Sequence, residues 1–286
     1  MHLSGCNFAR TWIMNLNIPI ESAEIQYKQI LEGFFASYYD EKSLPSHGID
    51  HHRRVWNNAK EIMTRIPNPD SAYLPTPDKL IIACYLHDIG MSVDTGIRHG
   101  KHSRDLCLKF LSENNLDDNK YRDVLDAIEK HDDKNYTEAT SSKNLLTILS
   151  AADDLDAFGF FGIYRYLEIY MARGISLDKI GYLIMDNAAG RFDHFVKSFG
   201  RVDSLLQKYE AEYEILNNFF TGYNAQIGSY VFGEKEPEEY CGVVEILIRL
   251  IKERKKLSEF KSEAIKYSND RLIRWFFNGL QEEEIL

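Results

Sequence analysis

Seven of the nine histidines lie between His47 and His131, and they are spread over separate segments rather than gathered in one run. The series takes in a His87-Asp88 doublet and is followed by the acidic cluster Asp153, Asp154 and Asp156. Neutral imidazole and carboxylate together suit first-row divalent metals. A donor set drawn from several segments can close round an ion only once the intervening chain has folded back on itself. The series therefore requires a tertiary structure in which distant elements converge.

Helical periodicity recurs along the chain and strand alternation almost never does, so the expected fold class is all-α. Ile25, Ile30, Leu31, Phe34 and Phe35 fall near one face of a first helix that fades at Tyr39-Asp40, before Pro45. Val55, Ala59, Ile62 and Met63 form a second stripe. Pro67, Pro69, Pro75 and Pro77 then place four of the seven prolines within eleven residues and mark a loop. Asp78 is placed to cap the next helix, whose Leu80 to Leu86 run is apolar on every side and so central. Gly90 is placed as its C-terminal stop. Further helices are expected over 101–113, 118–130, 143–157 and 159–173.

Beyond about residue 175 the texture changes without a sharp boundary. Leu205, Leu206, Tyr209, Tyr213, Leu216, Phe219 and Phe220 predict a long amphipathic helix, and Val243 to Ile251 another that ends in the charged run 252–256. Helices packing on the first domain, with the charges as a solvated face, account for this region. The closing Glu282-Glu283-Glu284 reads as a frayed tail. Three parts are expected: an N-terminal helical segment (1–46), a site-bearing domain (47–175) and a helical C-terminal extension (176–286).

Composition bounds the setting. A chain of 286 residues with a formal charge of -10 repels a phosphate backbone over most of its surface, which disfavours broad nucleic-acid binding. Cys6, Cys84, Cys107 and Cys241 form no CxxC pair and read as small buried hydrophobes in a reducing compartment. No secretory signal or membrane-spanning stretch is evident, and the expected location is cytoplasmic.

The histidine spacing acquires meaning on helices. A separation of four puts His47 and His51 on one face of a helix that includes both. His51 and His52 diverge by about 100°, so one of them points into a given site. His87 and Asp88 also diverge, yet at a helix end two neighbours can touch different sides of one ion, or the carboxylate can bridge two. Asp153 sits between apolar Leu149 and Leu155 within a helix.

His51 with Arg54-Val55, the Leu86-His87-Asp88-Ile89-Gly90 segment, His99 four before Ser103, Ile128 followed by His131, and Ala152 to Ala157 together resemble the ordered signature of the HD-domain metal-dependent phosphohydrolase superfamily. The resemblance covers roughly residues 47–175. The stretches HGIDHHRRVW (47–56) and DDLDAFG (153–159) are most similar to small stand-alone bacterial HD hydrolases, some of which act on nucleotides.

The resemblance implies a helical bundle with His51, His87, Asp88 and Asp153 as core metal ligands, and with Asp88 able to bridge to a second ion. His99 and His131 match the additional histidines of two-ion members, and His47 the position of a proton donor to the leaving oxygen. One or two divalent ions are implied, with Mn, Fe, Co, Ni, Zn and Mg equally admissible. An ion lowers the pKa of a bound water toward ~7 and draws charge from phosphoryl oxygens. Arg98, Lys101 and Lys134, close in sequence to the ligands, are candidates for the remaining phosphate charge. The expected substrate is a small phosphorylated metabolite, with a nucleotide the favoured class.

Other roles are weighed for each residue. His102 is expected one turn from the ion, and His2, His52 and His194 on the surface or in packing. Asp154 is expected to be solvated, whereas Asp156 is a candidate to orient a ligand or to pair with Arg54 or Arg165. Phe158, Phe160, Phe161, Tyr164 and Tyr166 read as core. The absence of a Gly-Tyr-Pro motif and of a Glu-Asp pair after the doublet disfavours the cyclic-dinucleotide and alarmone branches. Met91 and Ala151 stand where relatives carry lysine and aspartate. A catalytically silent binding module and a single-strand nuclease are the rival readings.

Overall fold

The computed structural model describes residues 5–39, 44–66, 74–96, 98–133 and 144–285, with the backbone alone for 5–16 and 285. Among the described residues there are twelve α-helices and no strand. His2, Pro67, Pro69 and Lys134 lie outside that set. The chain divides into two compact units, residues 1–156 with 193–206, and residues 157–192 with 207–286.

The first unit is built from α1 (Gly5–Ala36), α2 (Ile49–Arg65), α3 (Pro77–Leu86), α4 (His99–Glu113), α5 (Arg122–Lys130) and α6 (Leu145–Leu155). Every residue from Leu80 to Leu86 is fully buried, as an apolar run on all faces requires, and α1, α2, α5 and α6 pack round α3. In α2 the predicted stripe of Val55, Ala59, Ile62 and Met63 is buried, joined by His51, His52 and Trp56. Burial of a Val or Ile side chain contributes on the order of 1.5–3 kcal/mol, so this stripe fixes which face of α2 carries His51 inward.

Several local expectations are corrected. The inward face of α1 is Ile20, Ala23, Tyr27, Leu31 and Phe35, while Ile25 and Ile30 are 85% and 40% exposed. Ile25 lies two residues from Ala23, about 200° round the helix, and so points to the opposite side. α3 begins at Pro77 with Thr76 at the cap position, which places Asp78 inside the first turn instead of at the cap. Gly90 is no stop signal. His87 closes α3 and Gly90 sits in the short 3-10 turn that follows, where a Cβ would overlap the His99 carbonyl and the backbone of Ser103. Its N–H donates to Ser103 Oγ at 2.8 Å. Glycine is needed there because the start of α4 lies directly against it, which brings His99 beside the His87-Asp88 doublet.

The second unit contains α7 (Gly159–Ala172), the first part of α8 (Leu177–Phe199), most of α9 (Asp203–Gln226), α10 (Glu239–Lys252), α11 (Phe260–Tyr267) and α12 (Arg271–Ile285). Its interior is aromatic: Phe160 meets Phe276, and Phe219 meets Tyr240 and Phe276, while the exposed Trp275 covers the other side of Phe160. The acidic C-terminus is not a frayed tail. Glu283 accepts the N–H groups of Phe160 at 3.0 Å and Phe161 at 2.7 Å, satisfying two orphan donors at the start of α7. Among the described residues no helix is long and apolar enough to cross a membrane.

Candidate metal centre

Three elements deliver four donors. His51 comes from the first turn of α2, His87 and Asp88 from the end of α3, and Asp153 from α6. All four are at most 4% exposed. His51 Nε2 lies 3.1 Å from His87 Nε2, 3.5 Å from Asp88 Oδ2 and 3.7 Å from Asp153 Oδ1. His87 Nε2 lies 3.6 Å from Asp88 Oδ2 and 3.7 Å from Asp153 Oδ1. Atoms bound to one ion at ~2.1 Å stand ~3.0 Å apart at right angles and ~3.4 Å apart in a tetrahedron, so these separations are those of a ligand shell.

His99 and His131 form a second group on the other oxygen of Asp88. Asp88 Oδ1 is 3.0 Å from His131 Nε2 and 3.3 Å from His99 Nε2. Both rings are buried, and the three residues offer one converging atom each. Asp88 thus presents one oxygen to each group, the geometry of a bridging carboxylate.

The outer nitrogens define what the inner ones do. His87 Nδ1 is 2.9 Å from the Cys84 carbonyl, His99 Nδ1 2.7 Å from that of Gly96, and His131 Nδ1 2.7 Å from that of Ile128. In each case the acceptor is the carbonyl three residues back. His51 Nδ1 instead donates to Asp156 Oδ2 at 2.7 Å. Carbonyls and carboxylates only accept, so in a neutral ring Nδ1 carries the proton and Nε2 keeps its lone pair. The lone pairs of His51 and His87 then face each other at 3.1 Å, and those of His99 and His131 face a carboxylate oxygen. A buried cage of acceptors calls for a cation between them, and two imidazoles with two carboxylates are a donor set that first-row divalent ions accept. The residues present fit a metal.

Asp156 is held in turn by Arg54, whose Nε and Nη2 reach its two oxygens at 2.6 and 3.1 Å. Burial opposes ionisation there, yet the Arg54 charge and the His51 hydrogen bond keep the carboxyl well below its ordinary pKa. Both expected roles of Asp156 are therefore combined. Asp154 is corrected: it is fully buried, with its Oδ2 3.1 Å from His194 Nδ1. His52 is also buried, against Phe35 and the rings of His51 and His87, and burial drives its pKa well down.

His47 lies before α2, in a 3-10 turn over Pro45–His47, so it does not share that helix with His51. Its ring centre is nonetheless 5.6 Å from that of His51, and its Nδ1 is 2.9 Å from Ser46 Oγ. Arg98 is three-quarters exposed and pairs with Asp94 at 3.4 Å, and Lys101 is exposed. His102 is half-buried on α4, outside both donor groups. One residue went unnoticed in the sequence: Asp132 Oδ2 lies 3.7 Å from His99 Nε2. A second His-Asp doublet, His131-Asp132, was the available signal.

Residues 48–157 match the family model of the HD domain. The chain carries an HD domain. No curated protein and no solved structure matches it significantly. The matched segment contains every donor of both groups, together with Asp156 and Asp132, and begins immediately after His47. HD domains bind divalent metals, and the buried histidines and aspartates of this one could hold such ions.

Proposed function

We propose that the protein is a divalent-metal-dependent phosphohydrolase that cleaves a phosphate ester or anhydride of a small metabolite, with a nucleotide as the expected class. The observation that carries the reading is the 3.1 Å approach of two acceptor nitrogens, His51 Nε2 and His87 Nε2, inside a buried carboxylate-lined cage. A divalent ion there supplies Lewis-acid chemistry, acidifying a water and drawing charge from phosphoryl oxygens.

The chain's own residues do the rest. Asp88 and Asp153 balance charge in the cage, and Asp156 fixes the orientation of His51. His47 is the proton donor in this reading: when the Ser46 hydroxyl donates to Nδ1, the proton resides on Nε2 and is available to a leaving oxygen. Arg98 and Lys101 flank His99 and meet the remaining phosphate charge from the exposed start of α4. Arg54 is committed to Asp156 through both nitrogens and serves the cage instead.

The test combines metal analysis of the purified protein with turnover of a phosphoester panel that includes nucleotides. Bound transition metal with hydrolysis is the expected result. Bound metal without turnover across the panel would favour the silent binding module, and absence of any bound metal would remove the reading.

A further inference from the structure

We propose that Asp132 completes a second metal site with Asp88, His99 and His131, and that its solvent-facing side makes this ion the more exchangeable of two. The inference rests on the reading that the donor groups hold divalent ions, and it adds a ligand from this chain's own geometry. Asp132 Oδ2 stands 3.7 Å from His99 Nε2, the distance at which Asp153 stands from His51 and His87, and a turn of its exposed side chain is what brings it within reach of the other two donors, with which it does not yet converge.

An internal parallel supports the assignment. His87 and His131 each occupy the residue just past a helix, after α3 and α5, and each anchors Nδ1 on the carbonyl three residues back. Asp88 follows the first and Asp132 the second. Within a helix, neighbours diverge by about 100°, so both members of a His-Asp doublet reach one centre only where the chain leaves the helix. The chain does so at both places. Asp132 therefore follows His131 out of α5 as Asp88 follows His87 out of α3.

The two centres differ in access. The donors of the first group are at most 5% exposed as side chains, whereas the Asp132 side chain is 40% exposed. Two divalent ions against the carboxylates of Asp88, Asp153 and Asp132 leave one net positive charge, which favours an anionic phosphate beside the open centre.

The experiment titrates chelator-stripped full-length protein with manganese(II), counting ions by equilibrium dialysis and following spin coupling by electron paramagnetic resonance. Wild type is expected to bind two ions, the second more weakly, with an exchange-coupled spectrum. Asp132→Asn should bind the first unchanged, weaken the second about tenfold or more and lose the coupling. Asp133→Asn, which removes the adjacent exposed carboxylate, should keep both. A wild type that binds one ion, an Asp132→Asn variant indistinguishable from wild type, or an equal loss in Asp133→Asn would each overturn the inference while leaving the first site intact. A wild type that binds none would instead remove the metal reading itself.

Discussion

Asp156 Oδ2 and His51 Nδ1 are joined by a 2.7 Å hydrogen bond across 105 residues of sequence, and that bond decides which nitrogen of His51 faces the cage. Asp156→Asn preserves shape but can present its amide N–H₂ to the ring, favouring the wrong tautomer. Metal affinity should fall about 10–100-fold, with a much smaller change in stability. Competitive titration with a chromophoric chelator reads the affinity, and an unchanged constant would show that the bond is dispensable.

Asp88 is the only donor common to the two groups, which sets it apart from Asp153. Asp88→Ala should therefore empty both centres, whereas Asp153→Ala should weaken only the one that His51 and His87 line. Metal counting by inductively coupled plasma mass spectrometry after desalting distinguishes the two. Identical residual content would contradict the bridging geometry.

The donor series was legible in the sequence because each member sits in an ordered local signature, and the helical periodicity placed each signature at a helix end or on an inward face. What stayed hidden depends on tertiary proximity. Asp154 next to Asp153 reads as the exposed neighbour of a ligand, and nothing local indicates His194, 40 residues on, as its buried partner. Glu283 likewise reads as tail until the N-terminus of α7, 122 residues earlier, is beside it. Gly90 has the spelling of a helix stop, yet its role is set by the approach of α4.

That approach gives a stability prediction. Gly90→Ala inserts a Cβ against the His99 carbonyl and the Ser103 backbone, neither of which is the end of a flexible side chain. Overpacking of this kind typically costs about 1–3 kcal/mol. Urea unfolding should show that loss together with weaker metal binding at the His99 group, since α4 must move to relieve the overlap. Full retention of both would mean that the contact yields easily.

Glu283→Ala should cost about 1 kcal/mol, the typical value of a lost helix cap, because two N–H groups of α7 lose their acceptor. Glu282→Ala, removing an exposed carboxylate one residue away, should cost far less. Calorimetry on the pair separates capping from general charge, and equal effects would contradict the cap.

Glu24 ties α1 to α2, accepting from Trp56 Nε1 and Lys60 Nζ at 2.7 Å each. Burial works to raise its pKa, but the Lys60 and Trp56 hydrogen bonds bring the net value below the usual one. A folded-state pKa below the unfolded one contributes stability in full above the unfolded value, and loses it as pH falls through the folded value. Glu24→Gln should accordingly be less stable than wild type at neutral pH, by under about 1 kcal/mol for so exposed a pair. The difference should vanish in acid, and a gap that stayed constant down to low pH would assign it to packing.

Three of the four imidazoles hang from the main-chain carbonyl three residues back, and only His51 hangs from a side chain. Substitution elsewhere cannot delete a carbonyl, so the aim of His87, His99 and His131 is inherited with the fold itself. The anchor of His51 is a matter of one codon. Selection or engineering can therefore retune the basicity of a single ring, and with it the choice among competing ions, while the remaining rings hold their places.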